Sequence, residues 1–290
     1  MPSPAPAASR PYGAVGSSRK PPKLSVVRLL HPFPSLLVAG VTVVIAVLAD
    51  RHAGVGFFAR IGGGMLLFQF AIGIANDVVD LEDDARAKPW KPLPRRAVGR
   101  QAAVLLAAAC AGGGLLLTSS LPAGAWLIGA AGLFCGLVYD VYFKRTPLSW
   151  LPFSLAVPLI PVWVYLSLGR WDGLLWWSFP LGALLGMALH FANQAPDTEA
   201  DREAGISAAT QRAGERKSRA VSVALFGAAA SAAVLILLSR SPERAALAAS
   251  DAAIVVLLSP RAPVFFGRDG LFGLLASASA VLAAIFLSAV

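Results

Sequence analysis

Charge is scarce in this chain. Only 14% of its 290 residues are Asp, Glu, Lys or Arg, and 57% are hydrophobic. Soluble domains carry about 25% charged residues, so the balance excludes an ordinary soluble fold. Cysteine is nearly absent. Cys110 and Cys135 both fall inside apolar runs, which excludes a disulfide framework and a Cys-rich metal site. The first two dozen residues are rich in Pro, Ala and Ser and have no apolar core before Leu24. A secretory signal is thereby excluded, and residues 1–24 read as a disordered cytoplasmic tail.

What is abundant is long apolar runs. A bilayer span needs about 20 mostly apolar residues. Runs of that kind lie near 33–49, 60–82, 98–118, 121–138, 150–168, 173–192, 219–239, 243–259 and 270–290. The expectation is an all-α integral membrane bundle of about nine transmembrane helices, formed by residues 25–290 as one domain.

The net charge is +9. In a soluble protein that would point to nucleic acid; in a membrane protein the placement of Lys and Arg sets orientation instead. With the N-terminus inside, twenty of the twenty-five basic residues fall in inner segments. The chain therefore reads as a multi-pass protein of a bacterial-type plasma membrane. Its N-terminus is cytoplasmic, its C-terminus is outside, lipid surrounds it, and no nucleic-acid partner is implied. The sequence leaves the oligomeric state open.

Acidic residues are concentrated rather than scattered. Nine of sixteen lie in two short segments, Asn76-Asp77-Val78-Val79-Asp80-Leu81-Glu82-Asp83-Asp84 and Asp197-Thr198-Glu199-Ala200-Asp201-Arg202-Glu203. Each closes an apolar run, and each leads into a basic, turn-prone stretch. Carboxylates at the end of a membrane helix carry a high desolvation cost and mark function by default. The recurrence four spans apart suggests two similar four-helix halves with a ninth helix appended.

On a helix, positions three and four apart share a face. Asp77, Asp80 and Asp84 form one such stripe, with Asn76 beside it. Asn193, Asp197 and Asp201 form the other, with His190 on the same face. Pro196 lacks an N–H, so helix 6 is expected to kink or end just before Asp197. Oxygen-only ligands favour Mg²⁺, which takes one or two carboxylates and completes its shell with water and substrate phosphates. Two facing stripes thus fit Mg²⁺ ions bridging to one diphosphate. Fixed cations to hold it are at hand in Lys88, Lys91, Lys144 and Arg202. In a membrane, the group leaving a diphosphate is an isoprenoid. Phe68, Phe70, Tyr139, Tyr142 and Phe191 lie near the same helix ends and are candidates to line a dry pocket for the allylic cation.

These residues carry a family resemblance. Asn76, Asp77, Asp80 and Asp84, followed by Lys91-Pro92-Leu93-Pro94, resemble the first signature of the UbiA superfamily of intramembrane prenyltransferases. Asn193, Asp197 and Asp201, with Arg202 and Gly205, resemble the second. Tyr139-Asp140-Val141-Tyr142-Phe143-Lys144-Arg145 looks like the family's Tyr/Lys loop. The resemblance implies Mg²⁺-dependent transfer of a prenyl group from a prenyl diphosphate donor to a small lipophilic acceptor. That acceptor is often an aromatic ring such as a hydroxybenzoate or a quinone precursor. It also implies metal ligation by Asp77, Asp80, Asp84, Asp197 and Asp201. Diphosphate binding falls to Asn76, Lys88, Lys91, Tyr139, Lys144, Asn193 and Arg202. Asp140 is a candidate acceptor of the lost proton, and His190 a candidate ligand or base. Lys91 departs from the pattern, standing where Arg is common, and Pro196 stands where Arg often precedes the second-motif Asp.

The same scaffold also suits cyclisation of a prenyl diphosphate, or transfer of another diphosphate-activated group such as phosphoribose. A transporter would share intramembrane carboxylates and repeated halves, but it would hold its ligand near the midplane. Glu82, Asp83, Glu199 and Glu203 lie off the stripes and read as solvated or paired with basic neighbours. Trp150, Trp163, Trp171, Trp176 and Trp177 read as interfacial belt anchors. Gly62-Gly63-Gly64 and Gly112-Gly113-Gly114 read as close helix packing. Asp251 falls mid-span without an evident role.

Overall fold

The computed structural model describes residues 24–203 and 208–290. The expected tail lies almost wholly outside the described residues, as does Gly205. Among the described residues the chain is helical, without a strand. A short α1 (Leu24–Leu29) leads into α2 (Pro32–Ala49). Then come α3 (Val55–Val79), short α4 (Leu81–Ala87), α5 (Arg100–Leu117), α6 (Ala123–Val141), α7 (Leu151–Ser167) and α8 (Ser178–Gln194). Short α9 (Thr198–Glu203) and α10 (Ala209–Ala213) precede α11 (Glu215–Leu238), α12 (Pro242–Leu258), short α13 (Ala262–Phe266) and α14 (Gly270–Leu287).

Among the described residues, nine long helices coincide with the nine apolar runs to within a few residues. Seven described segments are long and apolar enough to cross a membrane: α2, α3, α5, α6, Gly173–Asp197 (which contains α8), α11 and α14. The other two, α7 and α12, have 17 residues each. At 1.5 Å per residue they rise about 25 Å.

The packing order repeats in part, the fourth helix lying on the second in the first half and on the third in the other. In the first half α2 lies on α3, and α3 on α5 and α6; in the second α7 lies on α8, and α8 on α11, which packs on α12. In each half the second helix carries an acidic motif and runs into a short helix, α4 or α9. The halves meet where α6 packs on α7 and α2 on α7, and α14 closes the bundle against α2, α8 and α12.

Small residues set the distances. A Cβ on Gly186 of α8 would stand 2.3 Å from the Phe153 carbonyl oxygen, and one on Gly182 would stand 2.8 Å from Pro158 Cα. The α7 and α8 backbones therefore touch, as small residues four apart allow in membrane bundles. Close packing holds for the Gly62–64 run and for Gly114, but not for Gly112, which faces open space: a Cβ on Gly64 would meet the Thr118 side chain at 2.5 Å, and one on Gly114 the Phe68 ring at 2.6 Å.

Both acidic motifs lie at one end of the bundle. At the opposite end Arg170 reaches the Ala49 carbonyl at 2.6 Å and Asp50 at 2.9 Å, which joins the loop after α7 to the end of α2. Trp171, Trp176 and Trp177 are exposed near that end, as belt residues would be. Trp163 is not a belt residue. It is 1% exposed, wedged among Phe68, Gly64 and Gly129 inside the bundle, because position 163 faces the neighbouring helices and not lipid. Asp251 is buried on α12, and its Oδ2 has no hydrogen-bond partner.

Candidate active site

The first motif keeps its helical register through a bend. The Asp80 N–H donates to the Asn76 carbonyl at 2.9 Å, and the Asp84 N–H to the Asp80 carbonyl at 2.8 Å. The turn of α3 thus carries on into α4, and Asp77, Asp80 and Asp84 stay on one side as their spacing requires. Burial is deep for carboxylates: the side chains of Asp77 and Asp84 are 2% and 8% exposed.

The basic stretch that follows folds back over them. The Lys91 N–H donates to the Lys88 carbonyl, the Arg96 N–H to Leu93 and the Ala97 N–H to Pro92. Leu93 is buried beneath this compact turn. As a result Lys91 Nζ lies 2.8 Å from Asp77 Oδ1 and 2.6 Å from Asp84 Oδ2, one ammonium between two carboxylates. Burial alone would lower the Lys91 pKa, but the charges and hydrogen bonds of Asp77 and Asp84 outweigh it and leave it raised. For Asp84 burial raises the pKa by more than the Lys91 contact lowers it.

The Tyr/Lys loop arrives from α6. A Cβ on Gly136 would meet the Ile72 side chain at 2.3 Å, so α6 lies close on α3 there. Four residues later Asp140 Oδ1 accepts a bond from Asn76 Nδ2 at 2.8 Å. That bond uses the amide nitrogen and does not consume the amide oxygen. The chain then tightens into a turn at Phe143–Arg145, from which Lys144 pairs with Asp80. Arg145 pairs with the more exposed Asp83 at 2.6 Å.

The second motif is built differently. Regular α8 ends at Gln194, a 3-10 turn covers Ala195–Asp197, and α9 begins at Thr198. This is the break that Pro196 requires. Asn193 faces the central cavity. Gln194 Nε2 donates to the Tyr139 hydroxyl at 2.9 Å, which ties the second motif to the Tyr/Lys loop. Lys88 Nζ lies 3.0 Å from Asp197 Oδ2, so a lysine from the first motif's loop reaches the second motif directly. Arg202 turns away to Glu199 at 2.7 Å on the exposed face of α9. Asp201 lies on α9, but its side chain falls outside the described residues.

His190 is 1% exposed. Its Nε2 lies 3.0 Å from Ser149 Oγ, and its ring packs against Tyr139, Phe153 and Phe191. It is not on the cavity wall, and its place is behind Tyr139. Of the aromatic candidates, Phe68 and Tyr139 line the cavity, while Tyr142 is exposed.

Below the motifs lies a cavity of about 1040 Å³, walled by α2, α3, α6, α7, α8 and α14. Asn76, Tyr139, Asp140 and Asn193 stand on its wall with Phe68, Leu133, Phe153, Val157, Leu185 and Phe272. Polar groups cluster at the motif end, and the rest of the wall is mostly apolar, with Gln69, Ser178, Ser277 and Ser279 as exceptions. Among the described residues no three carboxylate, His or Cys side chains converge tightly enough to hold one metal ion. Lysines join the carboxylates instead. The donor set remains hard and oxygen-only, which fits an ion that takes one or two carboxylates and fills its shell with water and phosphate oxygens.

Three contributors escaped the sequence reading. His31 Nε2 lies 3.2 Å from Asp77 Oδ1. The residue sits in the left-handed region (φ 47°) between α1 and α2, on the cavity wall. Its position before Pro32 at the motif end of the first span was the available signal. Gln194 sits next to the Asn193 stripe and was passed over for lying off it. Asp269 reaches the wall from the start of α14, and no spacing links it to either motif. Its neighbour Arg268 donates to the Pro196 carbonyl, which pins that loop to the second motif.

The fold has solved counterparts. The chain is similar to the apo structure of a UbiA homolog from Aeropyrum pernix K1, with a TM-score of 0.70 and 18% identity over 87% of this chain and 96% of that one. It is similar to a UbiA homolog from Archaeoglobus fulgidus bound to GPP and Mg²⁺, with a TM-score of 0.69 and 15% identity over 90% and 99%. A digeranylgeranylglyceryl phosphate synthase structure matches with a TM-score of 0.68 and 14% identity over 91% and 97%. No curated protein sequence matches. At such identities the structures speak to fold alone, but the model of the UbiA prenyltransferase family matches residues 36–289. The two acidic motifs, joined through Lys88 at the mouth of the cavity, are the candidate site, and the chain, a multi-pass membrane protein, belongs to the UbiA prenyltransferase family.

Proposed function

We propose that this protein transfers an isoprenyl group from a prenyl diphosphate to a lipophilic acceptor within the membrane. One observation carries the reading: the 3.0 Å pair between Lys88 and Asp197, which brings the two distant motifs together at the mouth of the apolar cavity. A diphosphate head belongs at that junction and a prenyl tail in the cavity. The Archaeoglobus fulgidus structures bound to GPP and Mg²⁺, and to DMAPP and Mg²⁺, support the same choice of ligands.

Asp77, Asp80, Asp84, Asp197 and Asp201 would hold Mg²⁺, with Asn76 and Asn193 adding oxygens. Bound there, Mg²⁺ neutralises the charge that builds on the departing diphosphate. Lys88, Lys91 and Lys144 already sit among the carboxylates and shift their hydrogen bonds to phosphate oxygens when the donor arrives. Tyr139, held by Gln194 and backed by His190, presents its ring to the cavity just under the head group. It shields the allylic cation from water. Arg202 is the outermost of the cations. Asp140 is positioned to take the proton the acceptor loses. The excess of Lys and Arg in the loops at the motif end supports placing this end in the cytoplasm, with the bundle in a plasma membrane.

Asp80→Ala and Asp197→Ala are each expected to abolish Mg²⁺-dependent diphosphate release, with the protein still folded by size-exclusion and thermal unfolding. Full release by either variant rejects the metal role. Incubation without an acceptor separates transfer from cyclisation, since only a cyclase yields a cyclic hydrocarbon under that condition.

A further inference from the structure

The chemistry of the cavity wall narrows the acceptor, given the prenyl-transfer reading above. Among the described residues, the wall carries no lysine or arginine. Its acidic members are Asp140 and Asp269, and its single imidazole is His31. Among the described residues, the three lysines near the mouth and Arg268 have partners of their own. Lys91 holds Asp77 and Asp84, Lys144 holds Asp80, Lys88 holds Asp197, and Arg268 reaches the Pro196 carbonyl. His31 turns its Nε2 toward Asp77. A carboxylate entering this space would leave water, meet the carboxyl groups of Asp140 and Asp269, and find no lysine or arginine on the described wall. Burying a charge on those terms is strongly unfavourable.

The same wall asks for a hydrogen-bond donor. Asp140 is 4% exposed. Its Oδ1 accepts the bond from Asn76, and its Oδ2 has no partner. Buried acceptor atoms are nearly always satisfied, and an exception beside a ligand cavity is one a ligand can fill. A cavity of about 1040 Å³ is at the top of the range for a single small ligand, so there is room for an acceptor beside a prenyl tail.

We infer that the acceptor is a neutral, lipophilic hydroxyl compound whose O–H donates to Asp140 Oδ2, and that carboxylate-bearing acceptors such as hydroxybenzoates are turned away. In the transfer, the C1–O bond of the donor breaks and its electron pair leaves with the diphosphate. The acceptor's nucleophilic atom forms the new bond to C1, and the acceptor's proton passes to the Asp140 carboxylate.

The test uses the full chain in lipid nanodiscs with Mg²⁺, a prenyl diphosphate and three acceptors sharing one ring: an alkyl 4-hydroxybenzoate ester, the free acid, and the ester's methyl ether. Prenylated product is followed by mass spectrometry and diphosphate release by a coupled assay. The ester is expected to exceed the acid by about tenfold or more in kcat/KM, and the ether to give no product. Asp140→Asn removes the carboxylate and with it the proton acceptor, so turnover of the ester is expected to fall, and the ester-to-acid ratio in the residual activity is expected to shrink to within about threefold. Absence of diphosphate release under every condition rejects prenyl transfer itself. Release accompanied by equal or better use of the acid, by use of none of the three, or by an unchanged ratio in Asp140→Asn rejects the acceptor inference and leaves prenyl transfer standing.

Discussion

The two acidic motifs look alike in sequence and are built unlike one another. The first is interior: Asp77 and Asp84 are nearly inaccessible and share one lysine, and Asp80 has its own from another loop. The second is peripheral. Asp197 is 40% exposed, meets only Lys88 among the described cations, and follows a proline-broken turn. The first motif is therefore part of what holds this end of the bundle together, whereas the second leaves its Asp197 carboxylate half-exposed although its neighbours Ala195 and Thr198 are buried.

That contrast can be broken by substitution. The largest effect is expected from Asp77→Ala. It should remove Mg²⁺-dependent turnover and cost about 2 kcal/mol in stability, because Lys91 keeps Asp84 but loses a buried charge-assisted hydrogen bond. Asp197→Ala should match the loss of turnover with under about 1 kcal/mol of destabilisation, since an exposed pair contributes little. Thermal unfolding in detergent without Mg²⁺ compares the two, and equal destabilisation would refute the interior–peripheral distinction. Next is Lys91→Met, which leaves Asp77 and Asp84 facing each other unneutralised. It should lower the unfolding temperature, and added Mg²⁺ should restore part of the loss by binding the folded state. A smaller effect is expected from Lys88→Met. The donor KM should rise by about tenfold with stability nearly unchanged, because that lysine links the motifs from a half-exposed position. Smallest is Arg202→Ala, expected to change donor kcat/KM by less than about threefold, because Arg202 is paired with Glu199 at the surface.

The apolar runs made the helices legible, since each is long enough to span and few carry internal charge. The spacing of Asp77, Asp80 and Asp84 foretold a shared face, and the helix keeps it through the bend at Asp80. Pro196 announced the break before Asp197. Trp163 misled because its type favours interfaces, while its neighbours in space, Gly64 and Gly129, leave it a slot inside. His31 and Asp269 could not be placed because their partners come from other helices.

Sequence by itself determined the membrane class, the long helices, the shared face of Asp77, Asp80 and Asp84, and the common end of the two acidic segments, because hydrophobic length, helical periodicity and charge placement are local properties of the chain. Only tertiary structure decided which lysine meets which carboxylate, that Asn76 binds Asp140, that His190 stands behind Tyr139, and that among the described residues the cavity wall carries no lysine or arginine. Those facts depend on how closely α3, α6, α7 and α8 approach. That approach is set by small side chains such as Gly136, Gly182 and Gly186 meeting partners far away in the chain.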